Sequence, residues 1–145
     1  MYDAGMAGQL RVHEDGRFAV RFERRLTHPA AKVWRALTET GLLREWFVDI
    51  LDYDRSRLDF TPGAALRFAA EGMPDGEGTV VRCDPPRLLE YTWDGETLRW
   101  ELHPDGAGCL LVFTNIVGDE DTAVAVKAGW AAGLDRLEDV LAADR

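Results

Sequence analysis

The apolar and polar positions change period along the chain, and each change marks an element. From Arg17 to Leu26 they alternate, with Phe18, Val20 and Phe22 on one face and Arg17, Arg21, Glu23 and Arg25 among the others, the signature of a strand with one buried face. His28-Pro29 then opens a helix, because proline is tolerated in a first turn, and Ala30, Val33, Trp34 and Leu37 follow as one apolar stripe. Thr38 is expected to cap a second short helix carrying Leu42, Leu43, Trp46 and Phe47.

From Leu66 onward the period returns to two. Leu66, Phe68 and Ala70 alternate with Arg67 and Glu71; Gly72 to Gly78 reads as a turn; and Val81 and Cys83 lead to Asp84-Pro85-Pro86, which cannot continue a ladder. Leu89, Tyr91 and Trp93 alternate with Glu90, Thr92 and Asp94, and Asp94-Gly95 is a strong hairpin signal before Leu98, Trp100 and Leu102. Pro104 to Gly108 turns the chain into the almost wholly apolar Cys109 to Ile116. Strands joined by such short turns are antiparallel.

The last periodic segment, about 121–143, is a long helix with Val126, Trp130, Gly133, Leu134, Leu137 and Leu141 on one face and Lys127, Ala131, Asp135, Glu138 and Ala142 opposite. Asp119, Glu120 and Asp121 sit where the helix dipole favours negative charge. The long helix can bury its stripe only against the sheet. The expected class is α+β, with 1–15 as a loose lead-in and 16–145 as a single domain.

Composition narrows the function. The 145 residues carry 26 acidic against 17 basic side chains, a net charge of −9, with no Lys/Arg cluster that would hold a phosphate backbone. Neither nucleic acid nor an anionic membrane is an expected partner, and no apolar run reaches the roughly 20 residues that span a bilayer. The N-terminus shows no basic and apolar signal pattern, so the expected location is the cytoplasm. Only two basic residues are lysines, Lys32 and Lys127, and the Arg, Ala, Gly and Asp bias matches a GC-rich bacterial genome. Cys83 and Cys109 lack metal-type spacing, and free buried thiols are expected in that compartment.

Catalytic constellations are mostly absent. Ser56, the only serine, lies between two arginines outside any nucleophile-elbow pattern. His13, His28 and His103 have neither i, i+4 pairing nor cysteine partners, so no metal site and no cofactor are expected. Glu90 and Glu101 alternate with large apolar residues, which places them on the outer sheet face. Asp49, just after Trp46-Phe47, is the one carboxylate with a functional case, beside Tyr91 as an acid–base candidate.

The order of elements and its particular residues resemble the START/polyketide-cyclase superfamily, the birch-pollen-allergen-like or helix-grip fold. Within it the chain is most similar to the branch related to the activator of the heat-shock-chaperone ATPase. The residues that carry the likeness are Val33 to Leu37, Leu43 to Phe47 with its Trp-Phe pair, Asp84 to Leu89 before Tyr91-Thr92-Trp93, and Gly129-Trp130 with Leu134 and Leu137. Pro62-Gly63-Ala64 stands where many relatives have a Gly-Gly pair, and the tight Asp94-Gly95 turn is expected to narrow one cavity entrance.

The resemblance implies a curved antiparallel sheet wrapped on the long C-terminal helix, two short helices after the first strand, and a cavity for a small apolar molecule, lipid- or polyketide-like. Trp46, Phe47, Phe68, Tyr91, Trp93, Trp100, Phe113, Trp130 and Leu134 are the expected ligand-binding residues, since their elements surround the space between sheet and helix. The competing account is that these rings simply fill a core. Gly129, Ala131, Ala132 and Gly133 either let the helix approach the sheet closely or leave room for a ligand. Two further functions are compatible: a module that docks a protein such as a chaperone, and a cyclase- or hydratase-type enzyme using Asp49 or Tyr91. A monomer and a homodimer both fit.

Overall fold

A computed structural model describes residues 8–13 and 15–143. Among the described residues seven strands form one antiparallel sheet: β1 (Gln9–Val12), β2 (Phe18–Leu26), β3 (Ala65–Phe68), β4 (Gly76–Asp84), β5 (Leu88–Trp93), β6 (Glu96–Asp105) and β7 (Gly108–Val117). Their spatial order is β1-β2-β7-β6-β5-β4-β3. The helices are α1 (Ala30–Thr38), α2 (Thr40–Trp46) and the long α3 (Glu120–Ala142). This is the expected α+β helix-grip arrangement, a meander closed on one face by a C-terminal helix.

Register explains why the alternating residues meet. Phe22 pairs with Phe113, Phe113 with Trp100, Trp100 with Leu89, and Leu89 with Cys83, so one row of large side chains crosses five strands on the face beneath α3. Phe22, Phe113, Trp100 and Leu89 in that row are fully buried. Asp94 and Gly95 both have positive φ, the conformation a two-residue hairpin loop requires. Glu90 and Arg99 pair across β5 and β6 at 3.1 Å, in keeping with the outer-face placement of Glu90.

Three expectations need correcting. Part of the stretch expected to be a loose lead-in, Gln9–Val12, pairs with β2 as an edge strand; its bonds are backbone bonds that side-chain patterning does not report. Residues 1–7 and 14 of that lead-in lie outside the described residues. Thr38 does not cap α2: the break between α1 and α2 falls at Glu39, in extended backbone, and the Thr38 hydroxyl donates to the Trp34 carbonyl at 2.8 Å, closing α1 instead. The cysteines are free as expected, but only Cys109 on β7 is buried; Cys83 on β4 is half-buried.

The seating of α3 has a polar component that alternation conceals. Asp119 caps the helix by accepting from the Thr122 backbone N–H at 2.8 Å, and that bond holds its carboxyl below the usual range. Arg24 lies on the core face of β2 with its side chain 6% exposed, and donates to Asp135 at 2.8 Å and Glu138 at 2.6 Å on α3. Replacing both acids (Asp135→Asn with Glu138→Gln) is expected to cost about 1.5–3 kcal/mol, the range for hydrogen bonds to a charged group. Urea denaturation checks this; a loss below about 0.5 kcal/mol, the level of an ordinary surface change, would show that Arg24 is held by packing of its stem.

Candidate functional site

A cavity of about 450 Å³ opens between α3, the C-terminal end of α2 and the β5–β6 hairpin. Its apolar wall comes from Trp46, Phe47 and Val48 on one side, Trp93 and Leu98 on the sheet, and Val126 and Trp130 on α3. Each ring is fixed by a contact behind it. The Trp46 indole N–H donates to the Ala36 carbonyl at 2.8 Å, tying α2 to α1. Trp93 stacks on Phe68 at 4.0 Å, nearly parallel. Phe47 stands 5.7 Å from Trp130 and 6.2 Å from Trp93.

The glycines of α3 settle the question the sequence leaves open. A Cβ at Gly129 would meet nothing within 4 Å, and one at Gly133 would meet only ordinary contacts at 3.7 Å and beyond. Close approach of helix and sheet therefore demands neither glycine. Both border the cavity, together with Ala132. Open space lies over Gly129, whereas a Cβ at Gly133 would touch Arg136, Trp130 and Trp46.

Polar groups interrupt the apolar lining at few points. Asn115 is fully buried, and all of its amide is engaged: Nδ2 donates to the Thr97 carbonyl at 3.0 Å and to Glu96 Oε1 at 3.3 Å, while Oδ1 accepts from the Trp130 indole N–H at 2.9 Å. Burial pushes the Glu96 carboxyl above the usual range; the Asn115 bond opposes this, and the Asp94 charge adds to it. Asp94, in the tight turn, also borders the cavity. On the opposite rim stand exposed Asp49 and Arg136, whose Nε donates to the Trp46 carbonyl at 3.3 Å. The Tyr53 hydroxyl donates to the Val48 carbonyl at 2.6 Å and is itself pushed up by burial, with Asp49 raising it further and Arg136 and Arg44 opposing.

Of the nine expected ligand-binding residues, Trp46, Phe47, Trp93 and Trp130 border this cavity. Phe68, Tyr91, Trp100, Phe113 and Leu134 lie behind it, all buried, and pack on other core side chains. Trp100 stacks on Phe113 at 3.8 Å, and its indole N–H donates to the Tyr91 hydroxyl at 3.2 Å. The side chains of those five belong to the packed core. Burial also drives the Tyr91 hydroxyl far up, the Trp100 bond only partly offsetting it, so of the two acid–base candidates only Asp49 faces the cavity.

Asn115, Glu96 and Arg136 were not among the expected site residues. Asn115 had a signal: it occupies the inward register of β7 shared with Phe113 and Val117, where a polar side chain must find partners inside. Ser56 has a structural task, donating to the Asp52 carbonyl and accepting from the Ala69 N–H. Among the described residues no group of three His, Cys, Asp or Glu side chains could hold a metal ion, and no helix is long and apolar enough to cross a membrane.

A curved antiparallel sheet gripped by a long C-terminal helix, with an aromatic cavity at one end of the seam, defines a helix-grip domain of the START/polyketide-cyclase superfamily. Within that class, the chain belongs to the family described as activator of Hsp90 ATPase homolog 1-like protein, whose model matches residues 27–142. Similar solved structures include CalU16 from Micromonospora echinospora, 26% identical over 92% of this chain and 83% of that one, with a TM-score of 0.70. MLL2253 from Mesorhizobium loti is 24% identical over 88% and 98%, with a TM-score of 0.74. EF2215 from Enterococcus faecalis, a conserved protein of unknown function, is 24% identical over 94% and 78%, with a TM-score of 0.76. The likeness to the last two concerns the fold alone. No curated protein matches the chain.

Proposed function

We propose that the chain binds a small, largely apolar molecule, lipid- or polyketide-like, in the cavity between α3 and the β5–β6 hairpin. The observation that carries this reading is the pairing of open space over Gly129 with aromatic walls and a polar seam, the composition ligand sites generally have. Its volume of about 450 Å³ lies in the usual range for such sites, and core side chains leave it open. The family description supports a second reading, in which the domain docks a chaperone.

A thermal-shift panel of fatty acids, sterols, flavonoids and aromatic polyketides tests the first. A ligand at 100 times its dissociation constant is expected to add about 2.7 kcal/mol of stability. Gly129→Phe, which projects a ring into the cavity, is expected to abolish the shift while the unliganded protein keeps its own Tm. No shift across the panel, or an undiminished one in Gly129→Phe, would remove this site and leave the protein-partner reading in first place.

A further inference from the structure

We propose that this cavity selects a protonated organic amine carried on an aromatic or otherwise apolar body, with Glu96 as the residue that reads the positive charge. The inference rests on the cavity being a binding site and adds the class of molecule that fills it.

The side chains bordering the cavity include three carboxylates, Asp49, Asp94 and Glu96, against one cation, Arg136. The charges are also divided in space. Arg136 is held at the end of α2 by the Trp46 carbonyl, and both it and Asp49 act on the Tyr53 hydroxyl, in opposite directions. Asp94 and Glu96 share the β5–β6 hairpin across the cavity, where Asp94 is positioned by accepting from the Glu77 N–H at 2.9 Å. The hairpin side is therefore negative, and an incoming carboxylate would meet two like charges there.

Glu96 is the acceptor best placed to use a cation. Its one hydrogen bond among the described residues comes from Asn115 Nδ2 and is long, at 3.3 Å. An ionised carboxylate can accept about four bonds, so most of its capacity is open. Partial burial disfavours its charge, and an adjacent ammonium would offset that cost. The neighbouring neutral donors are already engaged: Trp130 donates to Asn115, and Asn115 donates to Glu96 and Thr97. This seam fixes Glu96 in place and presents acceptor capacity rather than donors. The rings complete the site, since Phe47 stands 5.7 Å from Trp130 and 6.2 Å from Trp93, and aromatic faces attract cations within about 6 Å.

Three probes with one aromatic body separate charge from shape: 2-(1-naphthyl)ethylamine, 2-(1-naphthyl)ethanol and 1-naphthylacetic acid, each titrated calorimetrically into the protein at neutral pH. The amine is expected to bind about tenfold or more tighter than the alcohol, the lower bound for a hydrogen bond to a charged group, and the acid more weakly than either. Glu96→Gln is expected to bring the amine down to the affinity of the alcohol and leave the alcohol unchanged. Asp94→Asn, which keeps the turn and the bond from Glu77, is expected to weaken the amine by a smaller factor. An alcohol or acid that binds wild-type protein as tightly as the amine would overturn the charge selection and leave the cavity reading standing. Equal loss of amine and alcohol in Glu96→Gln would reduce Glu96 to a structural role and also overturn the proposal. Binding of none of the three would count against both readings.

Discussion

Trp100→Ala is expected to lower the unfolding free energy by about 3–5 kcal/mol, the range for removing a large buried aromatic. Trp100 is 1% exposed, stacks on Phe113 at 3.8 Å and meets Trp46 and Trp130 edge-on at 5.6 and 6.0 Å. It joins the sheet to α2 and to α3 at once, so the void left by alanine cannot close from one side. The truncation also strands the Tyr91 hydroxyl, whose hydrogen bond comes from the Trp100 indole, and an unpaired buried group adds its own penalty. Domains of this kind have about 5–15 kcal/mol to lose. Guanidinium denaturation followed by circular dichroism checks the loss, and Trp100→Phe, which keeps the stack on Phe113, should recover much of it. A loss below about 1 kcal/mol would mean that the aromatic row relaxes freely, contrary to close packing.

Gly78→Ala is expected to cost about 3 kcal/mol or more, at or beyond the top of the usual overpacking range. A Cβ at Gly78 would stand 1.8 Å from the Thr92 carbonyl oxygen and 2.7 Å from its carbon. Both obstacles are backbone, so no rotamer change relieves them, and β4 must part from β5. That parting breaks the Asp94 N–H bond to the Glu77 carbonyl at 2.8 Å and the Thr79 N–H bond to the Thr92 hydroxyl at 3.0 Å. Faster amide exchange at Thr79 and Asp94 with a lowered Tm is the expected signature. Gly41→Ala on α2, where a Cβ meets nothing within 4 Å, should show no loss and serves as the control. An unchanged Tm in Gly78→Ala would contradict the close crossing of the two strands.

Most of the fold was legible because burial imposes its period on the sequence. Leu89 and Tyr91, Trp100 and Leu102, and Leu134 and Leu137 announce their faces through spacing alone, and Asp94-Gly95 announces its turn. What escaped has a common cause: the decisive partner is distant or is not a side chain. Alternation puts Arg24 on the inward face with Phe22 and Leu26, but not the acids 111 and 114 residues later that α3 brings to it. β1 is held by main-chain bonds to β2, and Gln9 to Val12 carry no strong alternation. The site was legible in part. The aromatic inventory pointed to the right region, but spacing cannot tell which rings pack on one another and which border open space. Trp100 and Trp130 look alike in sequence; the first is sealed behind the second.

That division between a sealed layer and an open one bears on how such a domain can diverge. The rings that hold helix to sheet, Trp100 and Phe113 against Trp130 of α3, stand apart from two positions that border the cavity on α3, Gly129 and Ala132. Exchanging the latter changes the shape and polarity of the opening without touching the clamp that keeps the protein folded. The architecture thus works as a chassis with a replaceable liner, in which what is bound can drift quickly while the frame around it stays put.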